Sequence, residues 1–204
     1  MTRQDQETPD LDSQLMLAVK AGDRNAFSTL FRRNARSLFH FVSRFIKNAA
    51  VAEEMVQEIF VKLYKAAGNY EPRSKFKTYL YRIATNHCLN EVRRAHNKEK
   101  FDSIEQSQES EHRGKPIELV DQRNPSPDVV IEGQDVAEKL QSYLMELPEK
   151  QRIALLLNRL EGLSYQDIAD TMNMSVGAVK SLLHRARHTL QQRLEKWNES
   201  IEAL

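Results

Sequence analysis

Three groups of residues in this 204-residue chain have the types and spacing to do chemistry, and all three suit binding better than bond-making. The first is the run Phe76-Lys77-Thr78-Tyr79-Leu80-Tyr81-Arg82-Ile83-Ala84-Thr85-Asn86, which interleaves aromatic rings with bases and amides. Rings stack on unpaired bases while Lys and Arg neutralise phosphates, so the mixture fits single-stranded nucleic acid. At least half of its aromatics should also serve a core, Phe76 together with Tyr79 or Tyr81, with the aliphatic Leu80 beside them. The second group follows Ser175. Gly177 and Ala178 permit close backbone approach, and Lys180, Ser181, His184 and Arg185 project where base edges and phosphates of a duplex would lie. Arg187 and Arg193 read either as phosphate contacts or as solvated charges. The third is a polar face of Glu53, Glu54, Gln57, Glu58 and Lys62 at helical spacing, opposite an apolar stripe.

No glycine-rich phosphate loop, nucleophile elbow or zinc-protease motif is found, so no enzyme activity and no small-molecule substrate are expected. His184 and His188 stand four apart but lack an evident third ligand, and neither a metal nor another cofactor is expected. Cys88 beside His87 reads as a thiol in a helix rather than as a sensor, and a single cysteine supports neither an internal disulfide nor a cysteine cage for zinc.

The elements that must position these groups are helices. Periodicity predicts four of them in the first part, near 11–21, 24–46, 50–67 and 77–95, with Val56, Ile59, Phe60 and Leu63 as the buried stripe of the third. In the last part, Pro148 opens a helix carrying Ile153, Leu156, Leu157 and Leu160, and Gly162 ends it. Ser164 and Asp167 form a capping-box pattern ahead of a short helix with Ile168, Ala169 and Met172 facing in. Ser175 then caps a long helix whose buried side is Val176, Val179, Leu182, Leu183, Ala186 and Leu190. A short helix, a tight turn and a second helix with a basic free face make a helix-turn-helix.

The net charge of +1 conceals a segregation along the chain. Residues 70–100 hold eight bases against three acids, 101–138 three against ten, and 176–196 five against one. Two basic blocks around an acidic spacer support nucleic-acid binding. The spacer 97–135 lacks apolar periodicity and carries Gly114, Pro116, Pro125 and Pro127, so it reads as a flexible linker, within which Pro116-Ile117-Glu118-Leu119-Val120 is a short apolar cluster. The expected fold is all-α, with two small helical domains at 10–96 and 136–196, the C-terminal one holding the helix-turn-helix. No run approaches the roughly 18–20 apolar residues that span a bilayer, and the polar N-terminus has no signal-peptide core, so a cytoplasmic protein without membrane insertion is expected.

Three blocks in order, Glu53-Glu54-Met55-Val56-Gln57-Glu58-Ile59-Phe60, then Phe76 through Asn86, then Leu147-Pro148 through Gly162-Leu163-Ser164-Tyr165 to Arg187, resemble the extracytoplasmic-function sigma factors of bacterial RNA polymerase. That class keeps the second and fourth conserved sigma regions. The resemblance implies an alternative sigma factor whose Glu54, Gln57, Glu58 and Lys62 dock on the clamp helices of core RNA polymerase. It implies that Tyr70, Lys75, Phe76, Tyr79, Arg82 and Asn86 capture the non-template strand of the −10 element. The helix from Val176, through Gly177, Ala178, Lys180, Ser181, His184 and Arg185, would read the −35 element as duplex. An anti-sigma factor is an implied partner. The family commonly has tryptophan at Tyr79 and aspartate at Glu54. The competing reading is a stand-alone helix-turn-helix regulator that binds duplex DNA without polymerase and has no use for the acidic face at 53–58.

Overall fold

A computed structural model describes residues 10–46, 48–105 and 127–202 of the chain, and its side chains over 10–46, 48–94 and 136–199. Among the described residues the regular structure is α-helical apart from one 3₁₀ turn at Ala67–Asn69: α1 Leu11–Lys20, α2 Arg24–Ile46, α3 Ala49–Ala66, α4 Phe76–Glu105, α5 Pro127–Glu146, α6 Glu149–Arg159, α7 Tyr165–Met172 and α8 Val176–Glu202.

The first four helices form because their starts are capped and their apolar positions recur every third or fourth residue. Asp10 caps α1, Asn48 accepts the Val51 N–H at 3.2 Å at the head of α3, and Asp23 accepts the Asn25 and Ala26 N–H groups at the head of α2. Gly22, at φ +100°, makes the turn between α1 and α2, where a side chain would be strained. Leu30, Leu38, Phe41 and Phe45 of α2, Ile59 and Leu63 of α3, and Phe76, Leu80, Ala84 and Cys88 of α4 are all fully buried in one core. Each large apolar side chain removed from water contributes about 1.5–3 kcal/mol.

The last three helices follow the punctuation read from the sequence. Pro148 sits at the N-cap of α6 rather than inside its first turn, and Gly162 adopts φ +66° just after that helix ends. The Ser164–Asp167 capping box closes reciprocally, with Asp167 N–H on Ser164 Oγ at 3.1 Å and Ser164 N–H on Asp167 Oδ2 at 3.3 Å. Asn173 ends α7 in the left-handed region at φ 51°, a conformation Asn tolerates better than most residues, and Ser175 Oγ accepts the Ala178 N–H at 3.2 Å to start α8. Ile153, Ile168, Val179, Leu183 and Ala186 are buried between these helices, in a core continuous with that of the first half.

The structure departs from the sequence expectation in two ways. Helix α4 continues to Glu105 and α5 begins at Pro127, so helix extends into both ends of the segment read as linker. Residues 97–105 contain no breaker, and proline is tolerated at a first helical position. The apolar cluster 116–120 lies outside the described residues. The two halves are also in contact. Helix α7 lies along α4, while α5 and α6 touch α2. The Arg152 guanidinium, 5% exposed, stacks over the Phe45 ring at 4.6 Å from its centroid. Arg44 and Gln141 exchange hydrogen bonds, the guanidinium to Gln141 Oε1 at 3.2 Å and the Gln141 amide to Arg44 O at 3.0 Å. A polar spacer says nothing about whether the faces it joins fit one another, which is why this contact was not expected.

Candidate nucleic-acid interface

Helix α4 presents three faces. Phe76, Leu80, Ala84 and Cys88 point into the first core. Lys75, just before the helix, and Tyr79, Arg82 and Asn86 stand at intervals of four, three and four, which stacks them on one face. Lys75, Arg82 and Asn86 are exposed and Tyr79 half-buried. The Tyr79 ring leans on Tyr70, centroids 5.0 Å apart, with one side left to solvent. Burial raises the Tyr79 hydroxyl above its ordinary value while nearby Arg82 opposes the rise, so the ring is neutral at physiological pH. The third face, with Thr78 and Tyr81 buried and Lys77 half-buried, turns toward α7.

Of the six residues assigned to this site from sequence, four share the exposed face and two do not. Tyr70 is 1% exposed and Phe76 fully buried. Tyr70 donates its hydroxyl to Ser13 Oγ at 3.1 Å, its carbonyl accepts from Lys20 Nζ at 2.9 Å, and its ring meets Phe76 edge-on at 6.5 Å. Neither ring has a face free for a base in this conformation. Their aromatic character serves packing, which holds the loop that precedes α4.

That loop has an anchor the sequence reading missed. Asp10 not only caps α1, accepting Ser13 N–H at 2.9 Å and Ser13 Oγ–H at 3.0 Å, but also accepts Phe76 N–H at 3.1 Å, an otherwise unpaired donor in the first turn of α4. Burial alone would raise its pKa, but the hydrogen bonds from Ser13 and Phe76 outweigh it and hold the carboxyl below its ordinary range. One carboxylate thus sets the start of two helices, 66 residues apart in sequence.

On α8, Gly177, Lys180, Ser181, His184 and Arg185 are exposed and Ala178 half-buried, with Val179, Leu183 and Ala186 buried beneath them. All six sequence-assigned residues therefore belong to one helix face or its edge. A Cβ on Gly177 would meet no atom closer than Ser175 Oγ at 3.9 Å, so the fold itself does not require glycine there. Arg187 is tied back to α6 through Asn158 Oδ1 at 3.1 Å, and Arg193 pairs with Glu146 at 2.7 Å. His188 meets Gln192 rather than His184.

On α3, Glu54, Gln57, Glu58 and Lys62 are all exposed above the buried Ala52, Met55, Val56, Ile59, Phe60 and Leu63. Beside them Phe31 and Phe39 of α2 edge a shallow apolar hollow that also includes Val56 and Gln57. Beneath them lies His87 of α4, 2% exposed. Its Nδ1 contacts Lys62 Nζ and its Nε2 lies 3.2 Å from Glu58 Oε2. Burial first, and Lys62 second, push its pKa down, so the ring is neutral at physiological pH, accepting from Lys62 on Nδ1 and carrying its proton on Nε2. His87 sets the spacing of two residues of the polar face, and no local pattern could have revealed it. Next to it, burial drives the Cys88 thiol up to about 12, leaving it protonated and unreactive.

Residues 30–98 match the family model of sigma-70 region 2, and residues 137–190 that of sigma-70 region 4. The chain is 34% identical over 192 residues to the RNA polymerase sigma-H factor of Pseudomonas aeruginosa, covering 92% of this chain and 96% of that protein. It is 32% identical over 188 residues to the ECF RNA polymerase sigma-E factor of Escherichia coli K12, covering 90% and 94%. Among solved structures, CnrH in complex with the cytosolic domain of CnrY matches with TM-score 0.65 at 23% identity, covering 92% of this chain and 99% of that one. The sigma factor RpoE in complex with the anti-sigma factor NepR from Bartonella quintana matches with TM-score 0.64 at 24% identity, covering 83% and 96%.

Proposed function

This chain belongs to the sigma-70 family, in its extracytoplasmic-function class, and we propose that its three exposed faces divide the work of such a factor among core polymerase, the −10 element and the −35 element. As an alternative sigma factor it directs core RNA polymerase to specific promoters and initiates transcription. Its working place is then the cytoplasm, and it acts by binding rather than by catalysing a reaction of its own.

The observation that carries the division is the alignment of Lys75, Tyr79, Arg82 and Asn86 on one face of α4, above a loop fixed by Asp10. Such a face offers a ring for stacking, an amide for a base edge and two cations for phosphates, as captured single-stranded DNA requires. Tyr70 and Phe76 serve it as supports. The exposed face of α8 from Gly177 to Arg185 suits the major groove of the −35 duplex, and the absence of any packing demand for glycine at Gly177 fits close approach of a DNA backbone. Glu54, Gln57, Glu58 and Lys62, with the neighbouring apolar hollow, suit the clamp of the polymerase. The similar fold of RpoE bound to the anti-sigma factor NepR supports an anti-sigma partner for this chain as well.

Run-off transcription from a promoter library with core polymerase tests the reading. Wild-type protein should yield specific transcripts, and a Gln57→Ala/Glu58→Ala double variant, folded by circular dichroism, should lose most of them. Transcripts that survive the double variant would displace the polymerase face from α3. Tight duplex binding without any dependent transcript would replace the whole reading with a stand-alone regulator.

A further inference from the structure

A cleft of about 1050 Å³ lies beside the turn between α5 and α6. Ile46 of α2, Val51 of α3, Val92 of α4, Leu147 of the turn and Leu182 of α8 give it apolar walls. Its volume stands at the upper limit of the roughly 300–1,000 Å³ usual for small-molecule sites, which are mostly apolar with a few polar groups to orient the ligand. Here the orienting group is a cation. Arg152 lines the cleft and is 5% exposed. Its guanidinium lies over the Phe45 ring, and its Nη1 reaches the Met145 sulfur, a weak acceptor, at 2.9 Å. Its Nε is buried without a hydrogen-bond partner among the described residues.

Arginine keeps its proton in proteins, so a guanidinium taken out of water needs an anion or good acceptors to offset its lost hydration. Burial is the largest influence on Arg152 and works against its charge, while Glu149 opposes that effect. The other two carboxylates that line the cleft are engaged elsewhere. Glu91 lies 2.6 Å from Arg94, and Glu146 2.7 Å from Arg193. The head of α6 adds positive potential of its own. This helix starts after Pro148 with no side chain capping it, and Pro148, Glu149 and Lys150 all line the cleft. A helix N-terminus carries a partial positive charge and N–H groups in want of acceptors. Gln151 Oε1, also on this wall, is buried without a partner among the described residues, and rotation of the amide presents a donor in its place.

We propose that this cleft binds a small amphipathic anion, its carboxylate on Arg152 and the head of α6, its hydrocarbon body against Ile46, Val51, Val92 and Leu182. Phe45 covers one face of the guanidinium, and the unpaired Nε leaves an edge for a charge-assisted hydrogen bond. A wholly apolar ligand would leave that Nε unpaired, and a bare inorganic anion would leave the apolar walls in water. A molecule with a hydrocarbon body and one carboxylate satisfies both. The site shares no residue with the faces assigned to polymerase and promoter, so it stands or falls independently of the sigma reading.

Isothermal titration calorimetry of the full chain with sodium decanoate, kept below its micelle concentration, and with decan-1-ol as its neutral counterpart tests the proposal. Wild type should bind a single decanoate, about tenfold or more tightly than the alcohol. Arg152→Met keeps the side-chain bulk and removes a buried charge, a change that folds tolerate. Folded by circular dichroism, it should bind decanoate about tenfold to a hundredfold more weakly and decanol much as wild type does. Val51 lines the cleft but is 39% exposed, so Val51→Glu sets a carboxylate at the rim without disturbing the core. It should weaken decanoate by about tenfold through like-charge repulsion and leave the helicity unchanged. Absence of saturable decanoate binding would overturn the proposal. So would equal wild-type affinities for acid and alcohol, or a decanoate affinity that either substitution leaves unchanged. A concentration-dependent dimer in sedimentation that Val51→Glu dissolves, with no decanoate bound, would give the cleft to a second copy of the chain and overturn it as well.

Discussion

Asp10 shows how much of this molecule rests on single side chains that join distant segments. Its carboxylate caps α1 and holds the Phe76 N–H at the head of α4. Asp10→Ala removes an N-cap and orphans a second helix donor, so a loss of about 2 kcal/mol is expected, at the upper end for caps, read as a lower urea midpoint. A loss of only about 1 kcal/mol, that of an ordinary cap, would mean that the Phe76 contact contributes nothing. His87 gives a prediction of opposite chemistry. Its pKa is depressed by burial and by Lys62, so the unfolded chain takes up the proton more readily. The contribution of His87 is therefore complete above its ordinary value near 6.5 and declines as the pH falls below it toward the folded value. Urea midpoints at pH 7.5 and pH 5.5 should show a decrease that is smaller in His87→Gln. An identical decrease in both proteins would remove His87 from the cause.

At the level of elements, what the sequence made legible was local. The capping box of Ser164 and Asp167, the stop at Gly162 and the start at Ser175 are all patterns within four residues, and each appears where the sequence placed it. Helical periodicity likewise identified the buried stripe of α3 and that of α8, where Val179, Leu183 and Ala186 are buried and Val176, Leu182 and Leu190 half-buried, because 3.6 residues per turn is a property of the chain itself. Contacts between distant segments were not legible. Asp10 with Phe76, His87 beneath Glu58 and Lys62, and Lys77 with Glu161 depend on how helices pack, which residue spacing does not encode. The same limit explains Tyr70 and Phe76, whose aromatic character suited both a base and a core until packing decided. On α8, Arg185 and Arg193 make a discriminating pair. Arg185 is exposed on the proposed reading face, whereas Arg193 spends its charge on Glu146 at the surface. Arg185→Ala should weaken binding to a −35 duplex by about 1–3 kcal/mol, and Arg193→Ala should leave it nearly unchanged. Titration of labelled duplex by both variants checks this, and equal losses would mean that Arg185 acts through general charge alone.

For the whole molecule, the decisive property is that the two halves share contacts instead of folding as separate bodies. Thr78, Tyr81 and Thr85 of α4 are buried to 1% or less, and α4 is the helix that lies along α7. Because the two halves are packed together, a destabilised first half must weaken the second. Trp197 provides the probe, since it is the single tryptophan and stands near the end of α8 in the C-terminal half. Leu63 provides the perturbation, being fully buried in α3 and remote from α8 in sequence. Leu63→Ala should cost about 2–5 kcal/mol, as large-to-small changes in a core do. In a coupled molecule the Trp197 fluorescence transition in urea moves to lower denaturant together with the circular dichroism transition, and the two coincide. In an uncoupled one the fluorescence midpoint stays at its wild-type value while the dichroism splits into two steps. The second result would mean that the interface between the halves adds too little to link their unfolding. The first would mean that the contacts between α4 and α7 join the two halves into one cooperative unit.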